Sequence, residues 1–252
     1  MTSTALPTPD ASEAVSSISR VVGALFSPKT TFESIVRRPT WVVPLLLLAL
    51  LSIGVTALFS QRVGWRTFME REIATNASAQ RRMEQVPADQ KEQVLNQQAK
   101  FAGVIGYVAA VLGPVVGAVI VAAVLLAAFN LLSGAKTNFV TALAIVSYSW
   151  VPLLISGLLG IVILFVKDPS TIDIKNLVAS NPGALLSDDS PKWLVTLLTS
   201  LDIFAFWVMA LQALGFSATN PKKISFAKAF GTIFTVWLLY VLVRVGAAAI
   251  FS

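Results

Sequence analysis

The longest apolar segment of the chain is residues 101–132, FAGVIGYVAAVLGPVVGAVIVAAVLLAAFNLL, which contains no charged residue. A membrane-spanning helix needs about 20 consecutive apolar residues. As a helix, this segment would be about 48 Å long, so it must tilt, kink or project from the bilayer, and Pro114 offers a place for a kink. Gly113 and Gly117 form a Gly-x-x-x-Gly pair that would let another helix approach closely, although transmembrane helices are rich in glycine generally.

Four further segments satisfy the same length criterion, namely 42–60, 139–166, 193–215 and 226–251. The sequence therefore predicts an all-α integral membrane protein, a bundle of five transmembrane helices. Residues 1–14, rich in Ser, Thr, Pro and Ala, are expected to form a disordered tail, and residues 15–252 a single five-span membrane domain. The polar first loop, 61–100, is predicted to form solvated helices that separate near Val86-Pro87, because its charges alternate and few breakers interrupt it.

The composition argues against most enzyme chemistry. Hydrophobic residues make up 56% of the chain and charged residues 13%, about half the charged share of a typical soluble domain. There is no cysteine and no histidine, which removes thiolate nucleophiles, the commonest general base and the commonest metal ligands. One carboxylate lies in a predicted span, whereas an intramembrane aspartyl protease needs two. We expect no enzymatic activity, cofactor or metal, and no nucleic-acid partner, because the basic residues are dispersed between spans.

Residues 15–38 precede the first span and are predicted to form two short helices interrupted at Ser27-Pro28. Val15, Ile18, Val22, Leu25 and Phe26 fall on one face at helical spacing. Such helices, with four basic residues, would suit an anionic membrane surface. The alternative is a helical hairpin packed on the cytoplasmic side with no role in lipid contact.

Basic residues near the span ends set the expected orientation. With the N-terminus inside, eight basic residues lie on the cytoplasmic side and ten lie outside, so the raw count slightly opposes this orientation. The inside loops are nevertheless short and almost purely basic, whereas the outside segments also carry nine acids. We therefore expect the N-terminus to be cytoplasmic and the C-terminus to lie outside.

Two charges lie well inside the predicted spans, Asp202 in the fourth and Arg244 in the fifth, whereas Lys228 lies at the very start of the fifth. An ionisable group within a bilayer is costly, so it usually has a partner or a function. If both spans are straight antiparallel helices, the two side chains lie about 5 Å apart in depth, which an Arg side chain can cover. The alternatives are a structural ion pair, an ion or substrate pathway, and an Arg244 that reaches the outer interface by itself. Tyr240, one turn before Arg244, is placed to share its hydrogen bonding.

Three stretches in order resemble the Yip family (Ypt/Rab-interacting proteins), particularly its bacterial members. They are LFSPKTTFESIVRRP at 25–39, GAKTNFVTALAIVSYSWVP at 134–152, and LDIFAFW at 201–207, the last followed by a basic turn and SFAKA at 225–229. The candidate motif residues are Tyr148, Pro152, Phe204 and Trp207, with Tyr240 in the last span. The resemblance implies a five-helix membrane protein with a cytoplasmic N-terminus. Eukaryotic members are linked to Rab GTPases and vesicle trafficking, but this chain lacks their long N-terminal cytoplasmic region.

The sequence thus favours a non-enzymatic polytopic membrane protein, a scaffold or accessory protein that organises membrane partners or lipid. Its expected location is the bacterial inner membrane, and its expected partners are the lipid bilayer and other membrane proteins or further copies of itself. The alternative function is a small-solute or ion transporter or channel that uses Asp202 and Arg244.

Overall fold

A computed structural model describes residues 16–187 and 190–250, and within these ranges all regular structure is helical. The predicted tail, 1–14, lies outside the described residues. The α-helices of the described ranges are α1 (Ser17–Phe26), α2 (Pro28–Arg37), α3 (Val42–Arg62), α4 (Trp65–Thr75), α5 (Ala77–Glu84), α6 (Lys91–Ser133), α7 (Phe139–Ser149), α8 (Pro152–Val166), α9 (Lys192–Ser200), α10 (Ile203–Thr219) and α11 (Phe226–Ile250). Three short 3₁₀ turns, Pro169–Thr171, Ile174–Asn176 and Pro182–Leu185, lie between α8 and α9.

Four helical runs in the described chain are long and apolar enough to cross a bilayer, namely α3, α6, the α7–α8 run and α11. A fifth crossing forms if α9 and α10, which are bent by 46° at a short break, act together as one span. The predicted all-α membrane bundle is confirmed, with four or five spans. The predicted fourth span, 193–215, differs from expectation because it is two helices and not one.

The polar first loop is helical, as expected, and it breaks at Val86-Pro87 before α6 begins. A second break lies at Asn76, whose side chain accepts hydrogen bonds from the N–H groups of Ser78 and Ala79 and so caps α5. Helix α6 is 43 residues long and continues through Pro114. Its length of about 65 Å exceeds the bilayer thickness, so its first turns project from the membrane beside α4.

Helix α7 lies at the centre of the bundle, and each of its residues from Thr141 to Ser149 is buried. It packs against α2, α3, α6 and α10. The rings of Phe129 and Phe216 stack at 4.2 Å between α6 and α10. Gly215 lets α10 approach α7 closely, because a Cβ there would lie 2.4 Å from Cγ2 of Ile145.

The N-terminal helices form a hairpin that packs against the bundle, whereas the expected contact of residues 15–38 with an anionic membrane surface stays a prediction. Helix α2 packs into the bundle, where Phe32 and Ile35 are fully buried against α7 and α10. Helix α1 buries one face, through Val21 and Ala24, and leaves the opposite face open. The hairpin is therefore part of the core and also presents an apolar surface outside it.

Candidate functional site

Asp202 occupies the break between α9 and α10. Its Oδ1 accepts hydrogen bonds from the backbone N–H groups of Phe204 and Ala205, at 2.8 and 3.3 Å. An aspartate is favoured at this N-cap position because it satisfies N–H groups that have no partner in the first turn, whereas inside a helix it competes with the backbone. Asp202 therefore begins α10 and does not continue α9, which explains why the predicted span is broken.

Ser180 binds the second carboxylate oxygen of Asp202. Its hydroxyl donates to Oδ2 of Asp202, and its carbonyl accepts from the N–H of Ile203 at 3.2 Å. These two bonds fix the loop after α8 to the start of α10, and they satisfy polar groups that an apolar environment would otherwise penalise. Ala179, just before Ser180, has a φ of 55°, a left-handed conformation that non-glycine residues rarely adopt. The turn is thus held in a strained shape by the contacts around it.

A pocket of about 290 Å³ opens beside Asp202. Its walls are α8, the loop after α8 and α9, and its polar lining residues are Ser156, Lys175, Asn176, Ser180, Asn181, Thr199 and Asp202. The side chains of Asn176 and Asn181 bind each other reciprocally, with N···O distances of 2.8 and 3.3 Å. Gly160 of α8 lets the loop pack closely, since a Cβ there would lie 2.8 Å from Cδ2 of Leu177. The pocket is therefore small, lined by both polar and apolar groups, and built largely from the loop.

Helix α4 anchors this loop from the projecting end of the bundle. Arg71 donates to the carbonyls of Pro169 and Ile172, at 2.9 and 2.8 Å. Nζ of Lys175 lies 2.5 Å from Oε1 of Glu72. At the start of the loop, hydrogen bonds from Ser170 hold the pKa of Asp168 below its ordinary value, because they stabilise the ionised carboxylate. The polar first loop and the loop after α8 thus form one connected structure.

Arg244 lies apart from this site. It is exposed on α11, with its guanidinium carbon 5.6 Å from the ring centre of Tyr240. Within residues 16–187 and 190–250, the ion pairs closer than 4.0 Å join Arg66 to Glu70 and to Glu92, and Lys175 to Glu72. The structure thus does not bring Asp202 and Arg244 together. The depth estimate assumed one straight helix around Asp202, and the break at that residue removes its basis.

Tyr148 belongs to a second polar cluster, at the end of the bundle that carries the hairpin. Its hydroxyl lies 3.2 Å from Oγ1 of Thr40 and 3.4 Å from the carbonyl of Ser17. Nη1 of Arg20 donates to the same Oγ1 of Thr40 at 3.2 Å and to the carbonyl of Arg38 at 2.8 Å. Arg20 is 5% exposed, so these bonds hold a buried guanidinium that joins α1 to the start of α3. Sequence reasoning placed Tyr148 in a motif but missed Arg20.

The remaining motif residues have structural surroundings. Pro152 is the first residue of α8, where its missing N–H costs nothing, and it is buried. Phe204 is buried in the first turn of α10, whereas Trp207 is partly exposed.

Of the predicted packing pair, Gly117 contacts Trp150, since a Cβ there would lie 3.0 Å from the indole ring. Gly113 faces open space, with nothing within 4 Å of its Cβ position.

The profile of the Yip1 domain matches residues 22–248, which is nearly the whole chain. The chain belongs to the Yip1 domain family. No curated protein and no solved structure matches it. Family membership and the apolar helices together establish a multi-pass integral membrane protein whose exposed spans contact lipid. In the described part of this Yip1-domain protein, no cluster of three or more His, Cys, Asp or Glu side chains is placed to hold a metal ion.

Proposed function

We propose that this Yip1-domain protein is a non-enzymatic scaffold that organises membrane partners or lipid in the cytoplasmic membrane of a bacterium. The observation that carries the proposal is the closed centre of the bundle. The pocket at Asp202 reaches Ser156 of α8, whereas Ser149, two helical turns earlier in the same run, is fully buried. A conducting pathway would need polar groups open to water through the whole membrane.

The two buried serine hydroxyls of α7 are satisfied within their own helix. Ser147 donates to the carbonyl of Leu143 and Ser149 to the carbonyl of Ile145, both at 2.7 Å. Bonds of this kind return the hydroxyl to the helix backbone and leave no donor for a passing solute. The tight packing of Gly215 against Ile145 adds a further barrier, because protein interiors are close-packed. The centre of the bundle thus favours a structural role.

Helix α11 offers the surface for partners. In its most apolar stretch of 18 residues, only 11% of the residues are buried in the protein. Leu239 and Val243 are exposed on it, at 59% and 72%. Apolar side chains of this kind gain nothing by leaving lipid for another apolar surface, so association depends on close packing. We propose that α11 contacts either lipid or another membrane protein, including a second copy of this chain.

A photocrosslinking amino acid at Leu239 tests this role in native membranes. Val241, two positions away, is 1% exposed and provides the matched control. The proposal expects one reproducible crosslinked partner from position 239 and none from position 241. If position 239 crosslinks to lipid alone, the proposed scaffold organises lipid and not a protein partner. Equal crosslinking from both positions would contradict the burial of Val241 and the exposure of Leu239 on α11.

The orientation proposed is N-terminus cytoplasmic and C-terminus outside. Seven basic residues are exposed in the described hairpin, in the loops before α7 and α11, and in the first turn of α11, and Glu33 is the acidic residue among these segments. Such an excess supports a cytoplasmic location for that end. A tag at each terminus, probed from one side of sealed membranes, tests this assignment, which labelling of the N-terminal tag from outside would contradict.

Transport remains the second candidate, because many transporters bind substrate at a broken helix beside a polar cavity. The α9–α10 break and the pocket at Asp202 have that form. Solute flux in proteoliposomes that is lost in Asp202→Asn would favour transport over the scaffold. The scaffold proposal expects no flux above that of empty vesicles with either protein.

A further inference from the structure

Helix α1 has one apolar face that the protein leaves uncovered. Ile18, Val22 and Phe26 are 68%, 52% and 80% exposed. They are four residues apart, so they form one stripe along the helix. Arg20, Val21 and Ala24 face the bundle from the roughly opposite side of α1. The stripe is therefore a surface of the assembled protein, and local unfolding is not needed to expose it.

The contacts of α1 place this stripe at the level where a span begins. Arg20 bonds the carbonyl of Arg38 and the hydroxyl of Thr40, just before α3 starts at Val42. Trp41 adjoins these residues, and tryptophan is enriched at the boundary between membrane and water. Helix α1 has ten residues and is about 15 Å long, too short to cross a bilayer. It is therefore fixed beside the membrane interface.

The charges at this end indicate the kind of surface that α1 meets. The exposed basic residues are Lys29 and Arg37 on α2, Arg38 directly after it, Lys136 before α7, Lys222 and Lys223 before α11, and Lys228 in the first turn of α11. Against them stands one partly buried acid in the same segments, Glu33. Basic residues next to an apolar helical face are attracted to anionic lipid headgroups. An acidic protein partner would satisfy the charges but would leave the apolar stripe at the interface without lipid cover.

We propose that α1 lies in the headgroup layer of an anionic leaflet, with Ile18, Val22 and Phe26 inserted at the acyl boundary. The surrounding basic residues bind the lipid phosphates. This inference rests on the proposed function and names the lipid that the scaffold engages. Because Arg20 joins α1 to the start of α3, lipid contact at the stripe is coupled directly to the bundle.

The chain has no cysteine, so a single nitroxide label can be placed at any position without removing another thiol. We would label Val22→Cys and Phe26→Cys and reconstitute each protein in vesicles of phosphatidylcholine, with or without phosphatidylglycerol. Collision with oxygen and with a water-soluble nickel chelate then gives the depth of the label. Gln80→Cys, on the exposed polar α5, gives the aqueous reference, and Val243→Cys, on α11, gives the lipid reference.

In anionic vesicles, labels at Val22 and Phe26 are expected about 5–10 Å below the headgroup surface, the depth of interfacial helices. Without anionic lipid, or with Lys222→Gln and Lys223→Gln, both labels should move toward water. Labels as exposed to water as the one at Gln80 would overturn the proposal, and equal depth in both vesicles would overturn its anionic part. Label depth does not depend on crosslinking through α11, so failure of this inference is distinguishable from failure of the scaffold function.

Discussion

Replacing Asp202 tests the account of the α9–α10 break. Asp202→Ala removes the cap of α10, which is worth about 1 kcal/mol. It also removes the acceptor of the Ser180 hydroxyl, and a hydrogen bond to a charged group contributes roughly 1.5–3 kcal/mol. Because Asp202 is half-buried, we expect the lower part of that range and a total loss of about 3 kcal/mol in unfolding free energy. Asp202→Asn keeps an oxygen for the cap and should lose roughly 1–2 kcal/mol.

Equilibrium unfolding in mixed micelles, followed by circular dichroism, measures these losses. Ser180→Ala should destabilise the protein by roughly 1–2 kcal/mol, and the double variant with Asp202→Ala should show a coupling energy of similar size. The backbone bond from Ile203 to Ser180 persists in all variants, so the effect is confined to side chains. Arg244→Ala, on an exposed helix face, should change stability by less than about 0.5 kcal/mol.

The competing hypothesis, an Asp202–Arg244 ion pair, predicts a different pattern. Under that hypothesis, Asp202→Ala and Arg244→Ala would be equally destabilising, and Asp202→Arg combined with Arg244→Asp would restore stability. Our account predicts that the exchange fails, because an arginine cannot cap α10 or accept the hydroxyl of Ser180. Restored stability in the exchanged protein would refute the reasoning about the break.

Three further predictions concern packing and anchoring. Gly215→Ala should lower the unfolding free energy by roughly 1–3 kcal/mol, because its Cβ overpacks against Ile145. Gly231→Ala, which has open space around its Cβ position, should be neutral or stabilising by up to about 1 kcal/mol. Thermal unfolding compares the two variants. Arg71→Ala should speed amide exchange at 168–187 without changing exchange in α7, and unchanged exchange in the loop would contradict the anchoring. Arg20→Ala should raise amide exchange in α1 selectively, and a uniform change across the bundle would contradict its role as a local tie.

The membrane class and most spans could be predicted from the sequence because the signal is local. A run such as 101–132 needs no knowledge of its neighbours to be identified as a transmembrane helix. The polar loop broke where Pro87 indicated. The amphipathic pattern of α1 indicated its open face in part. Ile18, Val22 and Phe26 lie on that face, whereas Leu25 packs against the core and Val15 lies outside the described residues.

The Asp202 site could not be predicted from the sequence because its partners lie far apart in the chain. Ser180 is 22 residues before Asp202, and Arg71 is about a hundred residues before the carbonyls it binds. No periodic pattern links such positions. Aspartate was itself a usable signal, since its preference for helix starts indicated a break within 193–215. The apolar run around Asp202 outweighed that preference in the span assignment.

The most direct test of the central claim is water access along the α7–α8 run of the cysteine-free chain. Ser156→Cys places a thiol in the Asp202 pocket, and Ser149→Cys places one two turns away in the sealed centre. With a membrane-impermeant maleimide on sealed vesicles, the account predicts labelling at position 156 from one side only and none at position 149 from either side. Labelling of position 149 at a rate comparable to position 156 would show an aqueous pathway through the bundle and would contradict the closed scaffold.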